Sequence, residues 1–263
     1  MKQFCFTVDD NIRFLKELTA SGCNSLFDHP YLRLFKQLHN EFNLKVQLNL
    51  FYKTDGFDLT MMTDRYKAEW AEHANWLKLS FHSEWENVAP YQNSGYDEVF
   101  AHCKAVQDEI LRFAGADSLA KTITIHYCLA TKEGLCALFD NGVQGLLGLY
   151  GSPQAPRSSY QSSPDECKAL RAGEVTHRYG IAYGAIDIVL NSFSKSGILT
   201  QLDGLWERQQ IYVMIHEQYF YADYKWYQPD YGEKLRQTFE TLQEKGYESI
   251  FFEEKISRTP LPR

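Results

Sequence analysis

The sequence predicts an α/β fold, a single distorted (β/α) barrel with seven or eight parallel strands. Short apolar runs of strand length alternate with helix-period patterns almost from end to end, the order expected of βα units around a parallel sheet. The 263 residues suit one such barrel and can bury a sizeable core. An open doubly wound sheet is the other architecture with this alternation, and no glycine-rich phosphate loop supports it.

Residues 3–8, QFCFTV, read as the first strand. Leu32, Phe35, Leu38 and Phe42 then recur at helical spacing before KVQLNLFY, 45–52, alternates as a second strand. A helix is expected over 64–75 and a third strand over 76–81, WLKLSF, whose end meets His82. Val99, Cys103, Val106, Ile110 and Phe113 mark one face of a long helix. KTITIHY, 121–127, is a fourth strand, 132–142 a helix closed by Asn141-Gly142, and 143–151 a fifth strand. The beat then breaks over about 152–180, a stretch rich in Ser, Pro and Gly, read as an excursion from one domain spanning 1–263. Inside it Ser163, Pro164 and Glu166 form a capping-box helix start, and Gly173 a stop. The segments 185–191, 210–216 and 249–254 supply the last strands, with Tyr231, Leu235, Thr238, Phe239 and Leu242 on one face of the helix before the final one.

Composition narrows the partners. With 34 acidic and 27 basic residues the formal charge is −7, which argues against binding a phosphate backbone, so nucleic acid is not expected. Six cysteines lie scattered with no C-x-x-C pair and are expected as reduced thiols. No signal-like or membrane-length apolar run is visible, so a cytoplasmic protein without membrane contact is expected.

In a barrel the chemistry gathers at the carboxyl ends of the strands. There the expected strands deliver Asp9 and Asp10, His82 and Glu86, His126, and His216 with Glu217. Each alone is most simply a satisfied rim residue, and Asp9-Asp10-Asn11 alone is a turn signal. HSEWE can also be a helix start, with Ser83 and Glu86 as a capping box. If the turn after His82 is helical, His82 and Glu86 share a face and could close on one cation with Asp10. Three protein ligands with open positions describe a catalytic metal site. Asp9 is then a candidate base and His216 an acid from the opposite wall. Aromatic rings near this rim, Trp85, Tyr91, Trp206 and Tyr219 among them, suit the face of a sugar, and equally suit ordinary packing.

These motifs resemble the polysaccharide deacetylases, carbohydrate esterase family four. The family's Thr-Phe-Asp-Asp-Gly is matched by TVDDN, its His-Ser/Thr-x-x-His by HSEWE, and its late Leu-x-His by VMIHE. The resemblance implies Asp9 as base, Asp10 and His82 as metal ligands with Glu86 in the place of the second histidine, and His216 as acid. It implies hydrolysis of an acyl amide on an amino sugar or related small molecule, with one divalent metal, zinc first and manganese or magnesium next. Two departures stand out. Glu86 replaces a histidine, and IHYCLAT, containing His126, stands where the family has Arg-Pro-Pro-Tyr, so His126 is taken as a substrate-binding residue and no arginine is assigned to the base. The alternatives are a catalytically degenerate barrel that binds carbohydrate or regulates, and a metal-free glycosidase pairing Asp9 with Glu217 or Asp187.

Overall fold

The computed structural model describes residues 1–86, 91–152 and 157–256. Its strands are β1 Lys2–Asn11, β2 Val46–Thr54, β3 Phe57–Asp58, β4 Leu77–Trp85, β5 Thr122–Ile123, β6 Gly145–Gly148, β7 Thr176–Arg178, β8 Ile181–Ala185, β9 Ile188–Val189, β10 Gln210–His216 and β11 Tyr247–Ser249. The helices are α1 Arg13–Ser21, α2 Pro30–Phe42, α3 Lys67–Glu72, α4 Tyr96–Phe113, α5 Lys132–Asp140, α6 Pro164–Arg171, α7 Lys195–Asp203, α8 Tyr231–Glu244 and α9 Phe252–Ile256. No helix among the described residues is long and apolar enough to cross a membrane.

The fold is α/β, with parallel strands carrying its core connectivity. A seven-stranded mixed sheet has β1 at its centre, paired in parallel with β2, β10 and β11. Alternation along β1 sends Phe4 and Phe6 outward, where Phe4 stacks on Phe239 of α8 at 5.7 Å and Phe6 meets Phe35 of α2 at 6.1 Å. A second sheet of four strands runs β5-β6-β8-β7. Main-chain bonds tie the two sheets together, Ala120 N–H to the Leu79 carbonyl at 2.8 Å and Asp187 N–H to the Tyr212 carbonyl at 2.9 Å. The expected single ring of strands is therefore two hydrogen-bonded sheets, with antiparallel arms at β3 and β7. The β7 arm turns at Tyr179 and Gly180, both at positive φ, as a two-residue hairpin of this kind requires.

The capping-box helix is observed as α6, with both reciprocal bonds between Ser163 and Glu166. Residues 153–156 of the expected excursion lie outside the described residues, and the rest of it includes α6 and β7. Two of the expected strands differ. The last strand is Tyr247–Ser249, and the apolar run after it is helical because Phe252 and Ile256, four apart, bury together. The strand expected over 121–127 stops at Ile123, and His126–Cys128 is a tight turn with Tyr127 and Cys128 at positive φ. Helix α1 had no cap to read, since Ile12 at its start offers no side-chain acceptor. The acceptor is Glu217, which takes the N–H groups of Ile12, Arg13 and Phe14 at 2.8, 3.0 and 2.7 Å.

Candidate metal centre

The site is built where regular strand geometry fails. Val8 of β1 pairs with Leu48 and Asn11 with Leu50, so three steps on β1 face two on β2. This is a bulge, and it holds Asp10 at φ 62. Strict alternation would send neighbouring side chains to opposite faces; the bulge lets Asp9 and Asp10 both line one cavity. A second register break places Phe81 and Ser83 opposite Leu50 and Phe51, so His82 is the extra residue of β4. His126 opens the tight turn after β5.

These three irregularities bring one carboxylate and two imidazoles together. Asp10 Oδ1 lies 3.0 Å from His82 Nε2 and 3.1 Å from His126 Nδ1, and the two nitrogens are 3.2 Å apart. His82 Nδ1 faces the Thr124 carbonyl at 2.5 Å and His126 Nε2 the Glu86 carbonyl at 3.2 Å. A carbonyl only accepts, so each ring donates there and the neutral form turns a bare nitrogen inward. Three lone pairs then face one another, an arrangement that repels unless a cation or proton sits among them. Burial lowers the His82 pKa and works against the proton. Burial would raise the Asp10 pKa, but donation from His126 and His82 when they carry the second proton outweighs it and holds Asp10 well below the usual carboxylate range, so positive charge at this point, proton or cation, favours the carboxylate. The donor atoms all lie within 4.8 Å of one another, and an Asp-His-His set fits a divalent cation of a metal-dependent hydrolase.

Other polar groups surround the trio. Gln218 Nε2 donates to Asp10 Oδ2 at 2.8 Å, and His216 Nε2 lies 4.0 Å from the same oxygen. His216 is level with Asp9 in the β1–β10 register, and its Nδ1 meets Asn191 Oδ1 at 2.8 Å. Burial pushes the Asp9 pKa well up and the His216 pKa down. The cavity measures about 480 Å³, and Arg157, Tyr127, Tyr219 and Tyr224 add to its lining.

The ligand set differs from the sequence expectation at one position. His126, expected to touch substrate, stands in the trio, while Glu86 lies outside it on the cavity wall. The stretch after His82 is strand through Trp85, so His82 and Glu86 do not share a helical face; the Glu86 carbonyl meets His126 and its carboxylate meets Gln218. Tyr219 lines the cavity, 6.2 Å from His216 ring to ring. Tyr91 does not: it is buried against Phe81, with its hydroxyl bound by the Glu84 N–H at 3.0 Å. Trp206 packs on Tyr247, beside the first residue of β1 and so at the opposite end of the strand. Trp85 ends β4 but is absent from the cavity lining. The carboxylates of the metal-free alternative are engaged elsewhere, Glu217 on the start of α1 and Asp187 with Arg208 and the Tyr212 N–H. Asn49 and Gln218 are not among the residues the sequence marks; Gln47 and Asn49, interleaved with the apolar Val46, Leu48 and Leu50, are the visible sign of the first.

No protein-family profile and no curated protein sequence matches the chain. Solved structures match it in fold. A family 4 acetyl xylan esterase from Clostridium thermocellum, solved with a cobalt ion, superposes with TM-score 0.53 at 14% identity, over 98% of this chain and 93% of that one. A peptidoglycan N-acetylglucosamine deacetylase gives 0.55 at 11%, over 96% and 86%. A 4-alpha-glucanotransferase from Thermococcus litoralis gives 0.64 at 15%, with all of this chain covering 41% of that one. The chain shares the fold of these carbohydrate-active enzymes.

Proposed function

We propose that the protein is a metal-dependent hydrolase, a divergent relative of the polysaccharide deacetylases, that cleaves an acyl amide of an amino sugar or related small molecule. In this reading the two sheets are arcs of one distorted barrel. The observation that carries it is the set of three inward lone pairs on Asp10, His82 and His126, beside Asp9 and His216 in one cavity. A divalent cation there supplies Lewis acidity to the scissile carbonyl and acidifies water. Zinc suits a set with two imidazoles best, ahead of manganese or magnesium. With His126 rather than Glu86 as third ligand, one carboxylate leaves the cation net positive.

The chain's own residues do the rest. Asp10 and the two histidines would hold the cation, and Gln218 holds the second Asp10 oxygen. Asp9, whose ionised form a neighbouring cation would favour against burial, takes the proton of the attacking water, and His216, whose protonated form the Asp10 carboxylate favours against burial, gives one to the departing amine across the β1–β10 pair. Tyr219 and Tyr224, with ring centroids 5.3 Å apart, offer an apolar wall to a sugar face. All six cysteines are unpaired, which suits a reducing, cytoplasmic setting. The test is acetate release from a panel of N-acetylated sugars, with each divalent metal restored to chelated protein. Turnover should return with zinc or a close substitute; one bound equivalent with no turnover on any substrate would favour a carbohydrate-binding protein, and release of reducing sugar, rather than acetate, that survives chelation a glycosidase.

A further inference from the structure

We propose that Asn49 is a positioning residue that aims the Asp9 carboxylate through a directed chain of buried hydrogen bonds. This rests on the reading of Asp9 as the base. Asp9 is 2% exposed, and among the described residues its carboxylate has one side-chain hydrogen bond, from Asn49 Nδ2 to Oδ1 at 2.6 Å. The Asn49 amide cannot turn over. Its Oδ1 accepts from Gln47 Nε2 at 2.8 Å and from the Ser80 hydroxyl, so Nδ2 must face Asp9. Gln47 is fixed in turn, since its Oε1 accepts from the Thr122 hydroxyl at 3.0 Å and its Nε2 also donates to the Thr122 carbonyl at 2.8 Å. The side-chain donors run from the Thr122 hydroxyl in one sheet, through Gln47 and Asn49 of β2, to Asp9 at the bulge.

The bland alternative is a polar patch that joins the two sheets and nothing more. Strand interiors of this kind are ordinarily filled by branched apolar residues. Gln47, Asn49, Ser80 and Thr122 are all buried, and a satisfied buried network costs little only while each member stays in place. It is therefore a rigid support, and the end nearest the cavity is the carboxylate. One oxygen is held and the other is left to the cavity.

Asn49→Ser keeps a hydroxyl but is too short to reach Asp9. The expected result is a fall in kcat of about 100-fold, the scale for a reacting group misplaced by an ångström, with KM within about twofold of the parent and bound metal unchanged. In an Asp9→Asn background the same change should cost nothing further, because no base is left to aim. An equal loss in both backgrounds, or an unchanged kcat, overturns the proposal. If Asn49→Ser does not fold, Thr122→Val, two links away, should lower kcat several-fold and again only when Asp9 is present; equal losses there also overturn it. If the parent itself shows no turnover, the hydrolase reading has failed separately. Asp9 positioning is then read from its carboxyl carbon resonance, assigned by its loss in Asp9→Asn: it should move in Asn49→Ser, and a resonance that stays put overturns the proposal.

Discussion

The two walls between the sheets differ. On the side of β2, β4 and β5 the inward residues are Gln47, Asn49, Ser80 and Thr122, joined by hydrogen bonds. On the side of β6, β8 and β10 they are mostly apolar, Leu147, Ala182, Tyr212 and Met214 packed with Cys5, Phe252 and Ile256, while the buried Gln210 at the start of β10 donates to Cys5 Sγ. Both walls are buried, so burial does not separate them. The polar wall lies under the rim that holds Asp9, Asp10 and His82, and the apolar wall closes the core. Polarity in this interior follows the site: directional bonds are densest where a side chain must be aimed, and shape dominates elsewhere.

The largest effect is expected where the polar wall meets the rim: Asp9→Asn should lower kcat by about 10²–10⁴-fold, the range for a general base, in steady-state assays. Next is Glu217, a rim carboxylate whose role is structural. Burial raises its pKa from 4.5 to about 7 against the pull of four donors, so the folded state holds a proton that the unfolded state has lost between those values. Stability from this group is greatest below pH 4.5 and falls as pH rises toward 7, by about 3 kcal/mol. Urea unfolding should show that decline in the parent and a flatter profile in Glu217→Gln. Within the polar wall, Gln47→Leu strands partners at Asn49 and Thr122 and should cost about 1–3 kcal/mol by the same measurement. On the apolar wall Tyr212 keeps a buried hydroxyl with no partner among the described residues, so Tyr212→Phe should be neutral or stabilising by up to about 1 kcal/mol.

Much of the fold was legible because periodicity is local. β10 lies where alternation and length put it, over Gln210–His216, and the buried faces of α4 and α8 carry the residues their spacing marked. The start of α1 was not legible, since its acceptor comes from Glu217, some two hundred residues away. At the site, Asp9, Asp10, His82 and His216 were visible as polar residues at strand ends, and all four line one cavity. The third donor was misplaced for a physical reason. His126 was visible too, but its approach to Asp10 depends on a tight turn with two residues at positive φ, and no local pattern in IHYCLAT announces that turn. Glu86 was favoured by a helical spacing in a segment that is extended.

The central claim is that Asp10, His82 and His126 hold one divalent cation. The most direct test is metal content by elemental analysis of the purified protein and of two variants, His126→Ala and Glu86→Ala. The account predicts about one equivalent in the parent and in Glu86→Ala, and little or none in His126→Ala. A cation retained by His126→Ala and lost from Glu86→Ala would contradict it.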